Sequence, residues 1–298
     1  MRLKKKYLVV LVALMLVMTA VVASFVVSSV QGTRIAYVAI SADKESYSMG
    51  EDVTFKLRPL TQGIDFTIGG ESGDPYRGTY YGEMVTIVRI PDDVDPYSLI
   101  DRSGGLNDIS MWKSHSPNRA SIPIPLFSSS GESLDMSWNG TLRAYDKTGS
   151  YIWGEATAGY YLLYPEYYSY GRTVKFFLDH SSIFYYDGLD VDYEITTEGQ
   201  ETTITMSLTL PDYTSPTEGR LSAYVPYDGM QISSPYHNQT LDLKAGETST
   251  VFIKVPSSNP YLSLDAVLVT DAGTYIFGFY TSIHYDSKGG VTYVPVKY

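Results

Sequence analysis

The chain has 298 residues, enough for one or two domains, and no cysteine, which excludes disulfides, thiolate nucleophiles and Cys-ligated zinc or iron–sulfur centres. Its formal net charge is −11, and because Arg2, Lys4, Lys5 and Lys6 stand at the start, the remainder is more acidic still. Such a body lacks the grouped Lys and Arg that phosphates require, so nucleic acid is excluded as a partner.

Residues 1–33 read as a basic leader and an apolar helix. From 7 to 30 there is no charged residue. At about 1.5 Å rise per residue, such a run spans the ~30 Å hydrocarbon core of a bilayer. Two readings stand: an uncleaved transmembrane anchor, and a signal peptide cleaved at a small-residue site ending at Ala23 or Ser29. Either one keeps the four cations in the cytoplasm and places residues 31–298 outside, as a single-pass membrane protein or a secreted one. The leader also invites comparison with type IV pilins, but Tyr7 stands where their processing residue would be.

Beyond residue 33 no 3.6-residue period persists, and strand patterns follow one another. "DKESYSMGEDVTFKL" (43–57) turns at Gly50-Glu51 and then alternates Val53, Phe55 and Leu57 with polar residues. Strands are expected at 84–90, 142–146, 202–210, 250–255 and 266–270, with turn formers such as Gly69-Gly70, Asn139-Gly140 and Asp271-Ala272-Gly273 between them. The cleanest is 202–210, where Ile204, Met206, Leu208 and Leu210 alternate with hydroxyl residues, one face buried and one wet. The expected fold class is therefore all-β: two antiparallel β-sandwich domains, 34–166 and 172–285, with 286–298 a terminal strand or tail. The break is placed at "YPEYYSYG" (164–171), where Pro, Gly and clustered Tyr interrupt the pattern. "SMGEDVTFKL" (48–57) is echoed by "KAGETSTVFIKV" (244–255), and both turns call for a glycine with positive φ.

The opening stretch resembles the entry of macroglobulin-like and related immunoglobulin-like domains of bacterial and archaeal surface proteins, through Asp43, Lys44, Tyr47, Gly50, Glu51, Val53 and Phe55, with Met49 where Pro is usual. Trp138, Gly140, Gly149, Gly159, Tyr160 and Tyr161 resemble the end of such a sandwich, and "LDLKAGETSTVFIKVP" is similar to fibronectin type III-like modules. The resemblance implies tandem sandwiches on a cell surface, an architecture that hosts many roles, among them protease-inhibitor modules.

No motif carries catalysis. His115, His180, His237 and His284 show no metal-ligand spacing, and there is neither a Gly-x-Ser-x-Gly elbow nor a phosphate loop. Asp179-His180-Ser181 is adjacency in a surface loop rather than a triad. No catalytic residue, metal ligand or cofactor site is expected. Asp190, Asp192 and Glu194, with Asp187 before them, would share one strand face: either Ca²⁺ ligands or, as the preferred reading, a solvated face opposite Leu189, Val191, Tyr193 and Ile195. Tyrosine is abundant, at 28 residues against 10 Phe and 3 Trp. Half-buried strands use it well, as do binding surfaces. Ten Tyr fall within 151–193, so either packing or an exposed patch at Tyr164, Tyr167 and Tyr168 is expected, the latter for a surface glycan or another envelope protein. Asn139 and Asn238 open N-glycosylation sequons. The functional expectation is a non-enzymatic, membrane-anchored extracellular protein for adhesion, envelope structure or partner binding. The alternative is an exported enzyme-accessory or inhibitor-like binding module.

Overall fold

The computed structural model describes residues 35–70, 73–74, 79–80, 84–100, 119–145, 151–166, 174–225, 235–256, 262–285 and 291–297. The apolar segment 7–30 lies outside them; among the described residues no helix is long and apolar enough to cross a membrane.

The described chain is all-β. The first strands are β1 (Ala36–Ala42), β2 (Ser46–Ser48), β3 (Val53–Pro59), β4 (Thr67–Ile68), β5 (Gly73–Asp74), β6 (Thr79–Tyr80), β7 (Met84–Arg89) and β8 (Arg119–Pro123). There follow β9 (Phe127–Ser128), β10 (Leu134–Trp138), β11 (Thr141–Tyr145), β12 (Tyr151–Glu155), β13 (Gly159–Glu166), β14 (Val174–Phe177) and β15 (Ile183–Asp187). The rest are β16 (Asp190–Glu198), β17 (Glu201–Thr209), β18 (Thr217–Tyr224), β19 (His237–Leu243), β20 (Thr248–Val255), β21 (Ser263–Thr270), β22 (Thr274–Tyr285) and β23 (Val291–Lys297). Two short 3₁₀ turns, Pro96–Leu99 and His180–Ser182, complete the inventory.

One core lies between the sheet β10-β3-β1-β14 and the run β11-β8-β7-β13-β15-β2 of a longer sheet. Val38, Ile40, Val53, Phe55, Leu57 and Trp138 from the first layer meet Val85, Ile87, Tyr161, Leu163, Phe184 and Tyr186 from the second. A second core lies between β16-β17-β20 and the run β19-β18-β21-β22 of that same long sheet. There Ile204, Met206, Leu208 and Leu210 of the alternating stretch are fully buried. Each such side chain contributes about 1.5–3 kcal/mol through the apolar area it removes from water.

The division between the cores differs from the one expected at 166–172. Strand β14 pairs with β1, and β15 pairs with both β13 and β2, so both complete the first core. The first core closes with Tyr186 and the second opens with Leu189. Pro165 did not end the first unit, because β15 pairs with β13 only as far as Leu162 and nothing asks Pro165 for an amide on that side. Nor is the pairing wholly antiparallel: β1 with β14, β15 with β2 and β12 with β22 are parallel. The last strand, β23, pairs with β22 along its length.

The opening motif is a structural buckle. The single proton of the Tyr47 hydroxyl is shared between Asp43 and the Thr54 carbonyl (2.8 Å), and the oxygen accepts from the Lys44 amide (3.2 Å). Lys44 pairs with Glu51 across the turn. Gly50 (φ +79°) and Gly246 (φ +69°) both have the positive φ that the echoed turns require.

A seam joins the two units. Tyr213 accepts from the Met49 amide (2.9 Å) and donates to the Asp187 carbonyl (2.8 Å), and the Gly50 amide donates to Tyr186 (3.1 Å). Met49 also packs on the second core, where the Tyr275 hydroxyl lies 3.3 Å from its sulfur. Beside these contacts Glu155 of β12 registers with Tyr275 of β22, which makes the long sheet continuous across both units.

Candidate functional site

At the seam a cleft of about 310 Å³ opens, within the size range of small-ligand sites. Its walls come from distant parts of the chain: the end of β7 and the turn after it (Arg89, Ile90, Asp92), the start of β13 (Gly159, Tyr160), Tyr185 of β15, Asp190 of β16 and Lys297 of β23.

The floor is an ionic clasp. Arg89 is 4% exposed and makes four hydrogen bonds: Nε and Nη2 to the Ala158 carbonyl (3.3 and 2.9 Å), Nη2 also to Asp92 (2.9 Å), and Nη1 to the Lys297 carbonyl (3.4 Å). Lys297 Nζ lies 2.8 Å from Asp92 and 3.0 Å from Asp192, so one ammonium serves a carboxylate from each unit. Burial works to depress the Lys297 pKa, but the hydrogen bond and charge of Asp92, with those of Asp192, outweigh it and leave the pKa above its ordinary value. Gly159 makes room for this floor: a Cβ there would stand 2.9 Å from the Arg89 guanidinium nitrogens, at φ +150°.

The side wall is aromatic. Tyr185 and Tyr160 meet edge to face with ring centroids 5.3 Å apart, and Tyr160 meets Tyr97 at 6.3 Å in the same manner. Tyr97 continues to His180 at 4.9 Å. Tyr97 is 45% exposed and Tyr160 38%, so both offer ring surface to solvent. Asp95 fixes Tyr97 by capping the 3₁₀ turn, its Oδ1 accepting from the Tyr97 amide at 3.1 Å. Burial, and after it the charges of Asp187 and Asp190, hold the Tyr185 phenol above its ordinary pKa. Asp190 itself is exposed and forms no ion pair among the described residues.

The residues singled out from sequence are placed as follows. Tyr164 is half-buried against a small satellite core of Val88, Ile90, Leu99, Leu162 and Ile183. Tyr167 and Tyr168 lie outside the described residues, as does His115. Asn139 is exposed in its turn and accepts from the Thr141 amide (3.2 Å) and hydroxyl (2.7 Å); Asn238 is exposed on β19 and accepts from Ser222 (2.8 Å). Asp179, His180 and Ser181 belong to a capping box in which Asp179 accepts from the Ser181 amide at 2.8 Å, its carboxylate turned to the backbone. Asp190, Asp192 and Glu194 share an exposed face of β16, and among the described residues no three His, Asp or Glu converge as metal ligands. Sequence reading missed Tyr97, Tyr160 and Tyr185 as neighbours. The alternation of β13, with Tyr160 outward and Tyr161 inward, was the signal available for Tyr160.

No protein-family model matches the chain, and no curated protein matches it in sequence. Among solved structures, Escherichia coli alpha-2-macroglobulin activated by porcine elastase aligns with 89% of this chain and 22% of its own, at 11% identity and TM-score 0.28. The native conformation of the same protein aligns with 85% of this chain and 18% of its own, at 11% identity and TM-score 0.27. The Fcho1 mu homology domain of Danio rerio, bound to an Eps15 peptide, aligns over 87% and 88% at 10% identity and TM-score 0.19. The chain thus spans about a fifth of the length of the macroglobulins it matches. At these scores the likenesses add nothing to what the strand pairing shows directly.

Proposed function

We propose that this chain is a non-enzymatic binding protein of the cell exterior: two immunoglobulin-like sandwiches held at the membrane by residues 7–30, which engage a partner at the seam cleft. The observation that carries the binding role is the cleft itself, where partly exposed tyrosine rings stand over a floor of committed charges. A hydrolytic site needs a nucleophile or a proton-transfer pair within reach of a substrate. Arg89 and Lys297 are instead tied into struts, and the exposed groups are phenols and the Asp92 and Asp190 carboxylates, the former held by both cations. Four cations before a 24-residue uncharged run support the topology, and the acidic body suits life in water outside.

Fractionation of cells producing the full chain, combined with protease treatment of the intact cells, tests the placement. The chain is expected in the membrane fraction, with its sandwiches removed by external protease and Met1 or Arg2 still present on the retained fragment. Mature protein in the medium that starts near Ser24 or Val30 would replace the anchor with a cleaved signal. A chain protected from protease in intact cells would end the exterior reading.

A further inference from the structure

We infer that the seam cleft is a site for a neutral saccharide, whose pyranose ring lies against Tyr160 and whose hydroxyls bond to Asp190 and to the phenols of Tyr160 and Tyr185. The inference rests on the binding role proposed above and names its ligand class.

Three features of the cleft select this chemistry. First, a sugar ring presents an apolar C–H face and a rim of hydroxyls. The C–H face suits the negative face of an aromatic ring; Tyr160 in the cleft is 38% exposed, and its neighbour Tyr97, just outside the lining, is 45% exposed. Edge-to-face contacts of Tyr160 with Tyr185 and Tyr97, and a tilted contact of Tyr97 with His180, hold those rings in place, so little rotamer freedom remains to be lost on binding. Second, the charges that line the cleft cancel: Arg89 and Lys297 against Asp92 and Asp190. Both cations are already bonded to carboxylates and carbonyls, so most of their donor capacity and charge is spent before a phosphate, sulfate or carboxylate could arrive. Asp190 is the exposed carboxylate left over, an acceptor suited to vicinal hydroxyls and repulsive to anions. Third, the aromatic wall gives an extended peptide no free strand edge at β13 or β15. Within the cleft β13 is paired on one side with β7 and on the other with β15, the Ile90 amide donates to the Tyr160 carbonyl at 2.8 Å, and β15 is closed by β2. The volume of about 310 Å³ suits a sugar ring or two rather than a folded partner.

The test is calorimetric titration of the full chain, in detergent, with neutral oligosaccharides of different linkage: cellopentaose, chitopentaose, maltopentaose and a mannan-derived pentaose. At least one is expected to bind, with an affinity unchanged by added salt, since no ion pair forms. Tyr160→Ala is expected to weaken that binding about tenfold or more, as truncation of an aromatic anchor does, while Tyr160→Phe retains most of it. Asp190→Asn lowers affinity without changing the melting temperature. Phe252→Ala, an exposed aromatic on β20 away from the cleft, leaves binding unchanged. A circular-dichroism melt of each variant separates loss of binding from loss of fold. Three results overturn the assignment: no binding by any of the four sugars, binding that survives Tyr160→Ala in a folded protein, and salt-sensitive binding of a Lys/Arg-rich peptide blocked by Asp190→Asn. Each leaves the membrane and protease measurement untouched, so the ligand class fails without the exterior reading failing.

Discussion

Tyrosine does two jobs in this protein, and the hydroxyl decides which. Tyr47 is 2% exposed and uses its hydroxyl to fasten Asp43 to the Thr54 carbonyl. Replacing it with Phe keeps the ring contact with Phe184 and removes the hydroxyl's bonds, while the Thr54 carbonyl still accepts from the Asp43 amide and Asp43 from the Thr54 hydroxyl. Tyr47→Phe is therefore expected to cost about 0.5–1.5 kcal/mol in urea unfolding. Tyr193 is the opposite case. Its ring packs on Phe279 at 4.7 Å, but its hydroxyl is buried with no hydrogen-bond partner among the described residues. Tyr193→Phe removes a desolvated polar atom and is expected to leave stability unchanged or raise it by about 1 kcal/mol, read as a shift in the urea midpoint at constant slope. Arg89→Met removes a buried cation bonded to Ala158, Asp92 and Lys297, and should cost about 2–3 kcal/mol.

Elements that alternate strictly were legible from sequence, and those that depend on distant partners were not. Strand β17 reads directly, because Ile204, Met206 and Leu208 must all face one way and a slip of one residue would put them in water. The turn before β3 reads equally well from Gly50 and Glu51. Strands β14 and β15 were assigned to the wrong core, because "VKFF" and "IFYYD" announce strands without saying which sheet they join. The parallel partner of β14 lies at the other end of the first unit, in β1. A practical consequence follows for dissection of the chain. A fragment that begins at residue 172 carries β14 and β15 without β1 and β13, exposing Val174, Phe184 and Tyr186, and is expected to aggregate. A fragment that begins at Gly188 keeps the second core whole and is expected to elute as a monomer with a single cooperative melt. The cleft was legible only in part for the same reason: Asp190 stood out in an acidic run, whereas Arg89, Tyr97 and Lys297 become its neighbours only through folding.

At the scale of the molecule the absence of cysteine leaves stability to two packed cores and the seam, and both lean on tyrosines held neutral. Burial pushes the Tyr47, Tyr161 and Tyr275 phenols from 10.0 up to about 12. A phenol whose folded pKa exceeds its unfolded value adds stability that is complete below pH 10 and is lost as pH climbs toward about 12. The protein is therefore expected to resist mild alkali and then unfold steeply in that window. Phenolate absorbance and circular dichroism should change together for these buried tyrosines. Titration of the phenols while the dichroism stays native would contradict the packing described.

Lys297 reaches Asp92 in one sandwich and Asp192 in the other, while its own carbonyl receives Arg89. That nitrogen works as a latch whose state is chemical. Acylation of it would release both carboxylates at once, so that the hinge loosens and the pocket turns acidic in the same event. Through this one side chain, mechanical freedom between the halves and the charge of the pocket are coupled: a single covalent mark on the final strand would move both.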